Sequence, residues 1–254
     1  MKIAIVTGSS RGLGREVADL YLEHGFGLLT LARQEEMSFK EKAEELSLPY
    51  RHFSVDLSDS NAQRNVLEAI VTTLKETEGL EEIHLINNAG VVEPIEVVGN
   101  IDPQALQRLL TINVLAPMVF TNRLVGDFPT LKLSLVQISS GAANRPIHGW
   151  SSYGSSKAAL NLFNETAALE SDSHGTPHTF IAFNPGVMDT AMQGVIRAAD
   201  QSSFRDVENF REYKEKGKLR SPRVVAEALV SLLLHHTPVS GKLYTINELL
   251  NNKE

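Results

Sequence analysis

Cysteine is missing altogether from the 254 residues. No disulfide, thiol nucleophile or thiolate metal site is available to this chain, and nothing in its composition fixes a redox compartment. Basic residues are outnumbered, 24 Lys and Arg against 31 Asp and Glu, for a formal charge of −7. A duplex nucleic acid needs a concentrated basic surface, so that class of partner is excluded. No run of about 18 apolar residues offers a membrane span. The opening, Met1-Lys2-Ile3-Ala4-Ile5-Val6-Thr7-Gly8, holds an apolar stretch too short for a secretory leader. A soluble cytoplasmic protein is therefore expected, with no membrane partner. No repeat, low-complexity linker or composition break divides the chain, so one domain spanning residues 1–254 is expected.

What is present is an alternation. Short β-branched or leucine-rich runs at 3–6, 27–31, 51–55, 83–87, 131–138, 179–184 and 242–246 read as strands. Helical patterns fall between them, at about 13–24, at 39–46, and from the caps Ser58-Asp59-Ser60 to about Thr77. Asp102-Pro103 and Ser221-Pro222 each place an N-cap before a proline at the first helical position. This alternation implies an α/β fold, a doubly wound parallel sheet with right-handed crossovers. The polar stretch from Thr190 to about Lys218 follows the sixth strand without returning to the sheet. It reads either as a small helical lid over the strand ends or as a surface helix pair that only packs.

The turn Thr7-Gly8-Ser9-Ser10-Arg11-Gly12-Leu13-Gly14 falls where the first strand becomes the first helix. Glycines there let the chain turn sharply and let backbone amides approach a pyrophosphate at the positive helix end. Tight strand–helix packing uses glycine too, and position after the first buried strand favours the phosphate reading. The second strand bears on which dinucleotide is held. It ends Leu31-Ala32-Arg33, without the acid that accepts from a ribose 2′-hydroxyl. Arg33 and Arg11 could instead bracket a 2′-phosphate, which favours NADPH/NADP+. Glu35 and Glu36 stand near enough that a small shift of register would bring a carboxylate there. Asp56-Leu57 would flank the adenine, unless Asp56 is a plain turn cap.

Tyr153 and Lys157 stand four apart, on one face of a helix running to about Glu170. An ammonium beside a phenol lowers its pKa from about 10, so Tyr153 could protonate an alkoxide as general acid. Ser140 closes the fifth strand, where its hydroxyl would meet a substrate oxygen as charge develops, with Ser139 the competing assignment. Pro117 has no N–H, so the Asn113 carbonyl loses its helical partner. A water on that carbonyl could extend a proton relay through Lys157, or the proline only kinks the helix. His235-His236 reads as a helix cap, and no metal site is expected.

In this order the motifs resemble the short-chain dehydrogenase/reductase family. They are the glycine turn, Asn87-Asn88-Ala89-Gly90, Asn113, Ser140, the Tyr153/Lys157 pair and Pro185-Gly186, spread over essentially the whole chain. The resemblance implies a Rossmann-type fold and a catalytic tetrad of Asn113, Ser140, Tyr153 and Lys157. It also implies that Lys157 holds the nicotinamide ribose and that the Asn87–Gly90 turn supports the adenosine side. Pro185, Gly186, Val187 and Thr190 would lie along the nicotinamide. A narrower likeness joins Pro185–Gln193 and Lys216–Leu219 to sepiapterin reductases, and Ser140–Ala143, Gly149–Ser151 and Gly194–Arg197 still more closely to benzil reductases that form (S)-benzoin. Sepiapterin reductases anchor their pterin with a carboxylate where Thr245 stands here. Trp150, Met188 and Met192 would give the substrate an apolar, polarisable wall beside Ser140 and Tyr153, although each is also an ordinary core residue type. The expected activity is NADPH-dependent reduction of a small, aromatic ketone or 1,2-diketone. A pterin reductase is the nearest alternative, and a non-catalytic NADP(H) sensor the alternative of another class. A homodimer or homotetramer is expected by analogy with the family.

Overall fold

The computed structural model describes residues 1–251. Seven strands form one sheet: β1 Lys2–Thr7, β2 Gly27–Ala32, β3 Tyr50–Ser54, β4 Glu82–Asn87, β5 Lys132–Ile138, β6 Thr179–Asn184 and β7 Leu243–Thr245. Their order is β3-β2-β1-β4-β5-β6-β7 and every pairing is parallel. β2 and β4 are buried at every position, as strands covered by helices on both faces must be. On one face, α1 Gly12–Glu23, α2 Ser38–Glu45 and α9 Pro222–His235 close a core that includes Val17, Tyr21, Phe39 and Leu229. On the other, α3 Ser60–Lys75, α5 Ala116–Asp127 and α6 Ser151–His174 close one that includes Ile70, Leu74, Phe120 and Ala167.

The predicted caps are in place. Asp59 accepts from the Asn61 and Ala62 amides, Asp102 from Ala105 at the start of α4 Pro103–Leu110, and Ser221 from Arg223. α4 and α5 are not separate helices but one rod, joined by a π-helical turn at Thr111–Leu115. Within that turn the Ala116 amide bonds back five residues, to the Thr111 carbonyl. By length and mean hydropathy (1.3) the rod Pro103–Asp127 matches a membrane span, which the sequence did not advertise. Here Leu109, Ile112, Phe120 and Leu124 of this rod are buried in the fold, the position of a core helix.

The predicted insertion is helical and sits over the carboxyl ends of the strands. It comprises α7 Ala191–Arg197 and α8 Val207–Glu215, and its two ends are tied together. The Asp189 amide donates to the Arg220 carbonyl at 3.0 Å, and the Arg220 amide to Val187 at 3.2 Å. Beneath it lies a third apolar cluster, with Trp150 stacked on Phe204 (centroids 4.9 Å apart) and Phe210 against both. A short helix, α10 Ile246–Asn251, follows β7.

The opposite end of the sheet carries a buried polar chain. Glu82 opens β4 and takes Lys2 at 3.1 Å and Lys132 at 2.6 Å. It also holds His84 Nε2 at 2.9 Å, which fixes the Nε2–H tautomer and leaves Nδ1 to accept from the Tyr21 hydroxyl at 2.7 Å.

Candidate active site

Strand order reverses between β1 and β4, and in such sheets the crevice opens at that point beyond the carboxyl ends. A cavity of about 530 Å³ fills it, running from the glycine turn to α7. Gly8 (φ +67°) and Gly12 (φ +58°) adopt left-handed values that side chains resist. The turn is stitched to the one after β4. Asn88 Nδ2 donates to the Thr7 carbonyl at 2.9 Å and the Gly8 carbonyl at 3.1 Å. Thr7 Oγ1 accepts from the Asn88 and Ala89 amides, both at 3.0 Å. Arg11 stands at the N-cap of α1 without a side-chain cap, so the helix presents its first-turn amides as an anion site.

Most predicted cofactor residues line this cavity: Gly8, Ser10, Arg11, Gly12, Leu13 and Arg33 at one end, then Asp56, Leu57, Asn88, Ala89 and Gly90, with Pro185, Gly186, Val187 and Thr190 further along. Two do not. Gly14 lies behind the turn, where a Cβ would be driven into the Asn88 amide nitrogen and the Gly8 carbonyl oxygen. What the structure requires of it is close packing against the turn. Asn87 is the last residue of β4, and its amide is spent inside the fold, donating to Thr121 Oγ1 at 3.2 Å and Gln137 Oε1 at 3.1 Å. Arg108 of α4 also lines the cavity, which no local pattern in the sequence indicates. Asp56 is held below the usual carboxylate range, first by its bonds to Ser58, then by Arg108 and Arg33. Among the described residues, Arg11, Arg33 and Arg108 form no ion pair, whereas Arg15, Arg123 and Arg223 each do.

At the other end stand Ser140, Tyr153 and Lys157. The rivalry between the two serines is resolved by their partners. Both line the cavity, but the Ser139 hydroxyl is spent donating to Asn161 Oδ1 at 2.6 Å, while that of Ser140 meets Tyr153. Burial pushes the Tyr153 phenol above its ordinary value, with Ser140 pulling the other way. The expected lowering by Lys157 is not found. Its Nζ donates to the Ile138 carbonyl at 2.7 Å and lies 5.9 Å from the Tyr153 ring centroid, and burial brings it down to about 8. In this arrangement Tyr153 is a proton holder, and Lys157 is anchored by the strand end.

Asn113 acts from behind the cavity wall, with Lys157 as its neighbour across Gly90. It is fully buried and lines no part of the cavity. Its Oδ1 accepts from the Val91 amide at 2.9 Å, and its Nδ2 donates to the Val91 carbonyl at 2.8 Å and to Ser156 Oγ at 3.2 Å. It positions the wall that Val91 forms, from within the π-helical turn. The sequence argument from Pro117 located the irregular backbone but not its π form.

Trp150, Met188 and Met192 line the substrate end with Ile147, Ile196 and Phe210, and Trp150 meets Tyr153 edge-on at 5.3 Å. Arg145, Glu93 and Gln193 join them and were not foreseen. Thr245 accepts from the Glu248 amide at 3.2 Å and so caps α10. His235 ends α9 as expected, and no His/Asp/Glu cluster suited to a metal occurs among the described residues.

A bare glycine turn, first-turn amides and unpaired guanidinium groups along one elongated crevice fit a dinucleotide. The comparisons agree with this geometry. The chain belongs to the short chain dehydrogenase family, whose model matches residues 2–201. It is 36% identical over 253 residues to the benzil reductase ((S)-benzoin forming) of Bacillus subtilis, covering 98% of this chain and 100% of that one. Bovine sepiapterin reductase is 29% identical over 252 residues, covering 94% and 92%. A solved short chain dehydrogenase/reductase from Saccharomyces cerevisiae superposes with a TM-score of 0.81 at 29% identity, covering 99% of each chain. The protein is thus an oxidoreductase of this family with a Rossmann-type fold.

Proposed function

We propose that this oxidoreductase reduces a small aromatic ketone or 1,2-diketone, with NADPH as its cofactor. The observation that carries the reading is the contrast between the two ends of the crevice. Three unpaired guanidinium groups face one end, and a protonated tyrosine beside an aromatic and methionine wall faces the other. Bound there, the dinucleotide supplies hydride chemistry. The chain's own residues do the rest. Ser140 Oγ offers a hydrogen bond to the carbonyl oxygen as negative charge grows on it. Tyr153, kept protonated by burial, gives its proton to that oxygen. Lys157, fixed on the Ile138 carbonyl, holds the cation near the phenol, and Trp150 with Met188 and Met192 excludes water from the reacting carbonyl. Arg33 and Arg11 supply charge-assisted donors suited to a 2′-phosphate.

The name of the Bacillus relatives supports a diketone, and Thr245, committed to capping α10, does not favour a pterin. The test is NADPH oxidation with benzil, 1-phenyl-1,2-propanedione and sepiapterin in parallel. Turnover of the diketones with little on sepiapterin is expected. Turnover of sepiapterin alone would move the proposal to pterin substrates. Tight NADPH binding without any turnover would leave a cofactor-sensing protein.

A further inference from the structure

We propose that Tyr50 is a positioning residue for cofactor choice: it holds the Glu35 carboxylate on the outer side of the sheet edge, away from the Arg33 end of the crevice. The inference rests on the NADPH reading above. Directly after β2 the chain runs Arg33-Gln34-Glu35-Glu36, one cation followed closely by two acids. A carboxylate in this region accepts from a ribose 2′-hydroxyl and repels a 2′-phosphate, so the position of these acids decides which cofactor is favoured.

The fold sorts the charges. Arg33 lines the main crevice, and neither glutamate does. Glu35 instead lines a second, separate cavity of about 390 Å³ between α2 and β3, together with Lys40, Glu44, Tyr50 and His52. Its carboxylate accepts from the Tyr50 hydroxyl at 3.1 Å. That hydroxyl is itself seated on the sheet, 3.4 Å from Thr30 Oγ1, and Thr30 is buried in β2 and lies 3.0 Å from His52 Nδ1. Burial raises the Tyr50 phenol to about 12, so it remains a donor throughout the neutral range. Glu36 is turned away by separate partners, accepting from Ser38 Oγ at 2.9 Å and lying 3.5 Å from Arg15. Glu35 is exposed, and among the described residues this is the one hydrogen bond its carboxylate makes. Released, its carboxylate stands two residues from Arg33. There it can neutralise that guanidinium or offer itself to a 2′-hydroxyl, and both act against NADPH relative to NADH.

The experiment measures dissociation constants of NADPH and NADH, by nicotinamide fluorescence, on the full chain. The variants are Tyr50→Phe, Glu35→Gln, Glu35→Asp and the double variant Tyr50→Phe/Glu35→Gln. The wild type should prefer NADPH. Tyr50→Phe should lower that preference about two- to fivefold, the range of one exposed charge interaction. Glu35→Gln alone should change it little, and in the Tyr50→Phe background it should restore it. A purely structural role for Tyr50 would weaken both cofactors together and would not be rescued at position 35. Glu35→Asp keeps the charge but shortens the reach to Tyr50. It should therefore lower the preference as well, and it serves if Tyr50→Phe fails to fold. An unchanged preference in Tyr50→Phe or Glu35→Asp, with a wild type that favours NADPH, overturns the tether and leaves the NADPH reading standing. A wild type that favours NADH overturns both.

Discussion

Gly14→Ala tests whether the cofactor turn is held by close packing instead of by the flexibility of its glycines. The added Cβ would intrude on the Asn88 side-chain nitrogen and the Gly8 carbonyl oxygen. The second of these is backbone and cannot swing aside. Making room displaces Asn88, whose two bonds to the Thr7 and Gly8 carbonyls are each worth about 1 kcal/mol. Overpacking adds about 1–3 kcal/mol. The helix regains about 0.5–1 kcal/mol from losing a glycine. The net cost is therefore about 2–4 kcal/mol. For a chain of this size that lowers Tm by roughly 5–15 °C. Gly126→Ala is the internal control: it lies in α5, and a Cβ there meets nothing within 4 Å. It should leave Tm unchanged or raise it by about 1–3 °C. Thermal unfolding followed by circular dichroism, with and without NADPH, reads both. The reasoning is refuted if Gly14→Ala unfolds at the wild-type temperature and is still protected by cofactor to the same extent.

Three further outcomes follow from the site and the opposite end of the sheet. Tyr153→Phe should reduce turnover by about 10²-fold or more while leaving NADPH affinity within about twofold, measured by single-turnover kinetics and cofactor titration. Unchanged turnover would remove the tyrosine acid from the scheme. Asn113→Leu keeps the volume but leaves the Val91 amide and carbonyl unpaired, which should cost about 2–4 kcal/mol in urea unfolding; a neutral result would show that Val91 finds other partners. The third concerns acid. Burial holds His84 below its ordinary value, and Glu82 lies far below its own, first through its bond to His84 and then through Lys132. Both groups hold fewer protons folded than unfolded. Their contribution is present above about pH 6.5 and is lost as pH falls, first through His84 and then, below about 4.5, through Glu82. Calorimetric Tm should decline from pH 6.5 to 5, and His84→Gln should flatten that segment while lowering Tm at pH 7.5. An equal slope in the variant would show that other groups dominate.

The fold was legible because its signals are local. Buried β-branched runs, Asp59, Asp102 and Ser221 as caps, and a glycine turn after the first strand each act within a few residues. The site was legible where motif and strand end coincide, as at Gly8, Gly12, Asn88, Ser140 and the Tyr153/Lys157 pair. It was not legible where distant partners decide. Ser139 and Ser140 are neighbours with different partners, Asn161 and Tyr153, and nothing in the run Ser139-Ser140-Gly141 says which hydroxyl is committed to the fold. Asn87 could be placed inward only by knowing that Gln137 stands opposite it in register and that Thr121 packs above. Arg108 reaches the cofactor end because α4 crosses over it, a contact between segments more than seventy positions from Arg33 and therefore invisible to any local pattern. The behaviour of Tyr153 depends on how deeply α6 is sunk, which spacing alone cannot report.

Tyr153, the proposed proton donor, and the helical insertion share one apolar cluster: Trp150 and Tyr153 pack with Ile196, Phe204 and Phe210. The join is tight, since a Cβ on Gly149 would collide with the Ser203 carbonyl, and Ser203 in turn donates to Glu96 at 2.9 Å. Specificity and rate are thus not separable coordinates for this scaffold. A variant of that insertion selected to admit a bulkier ketone also shifts the floor on which the proton donor rests. Attempts to broaden the substrate range through Met192 or residues 196–210 should then trade turnover for scope, while changes at Met188, which packs against the other core, leave the acid where it is.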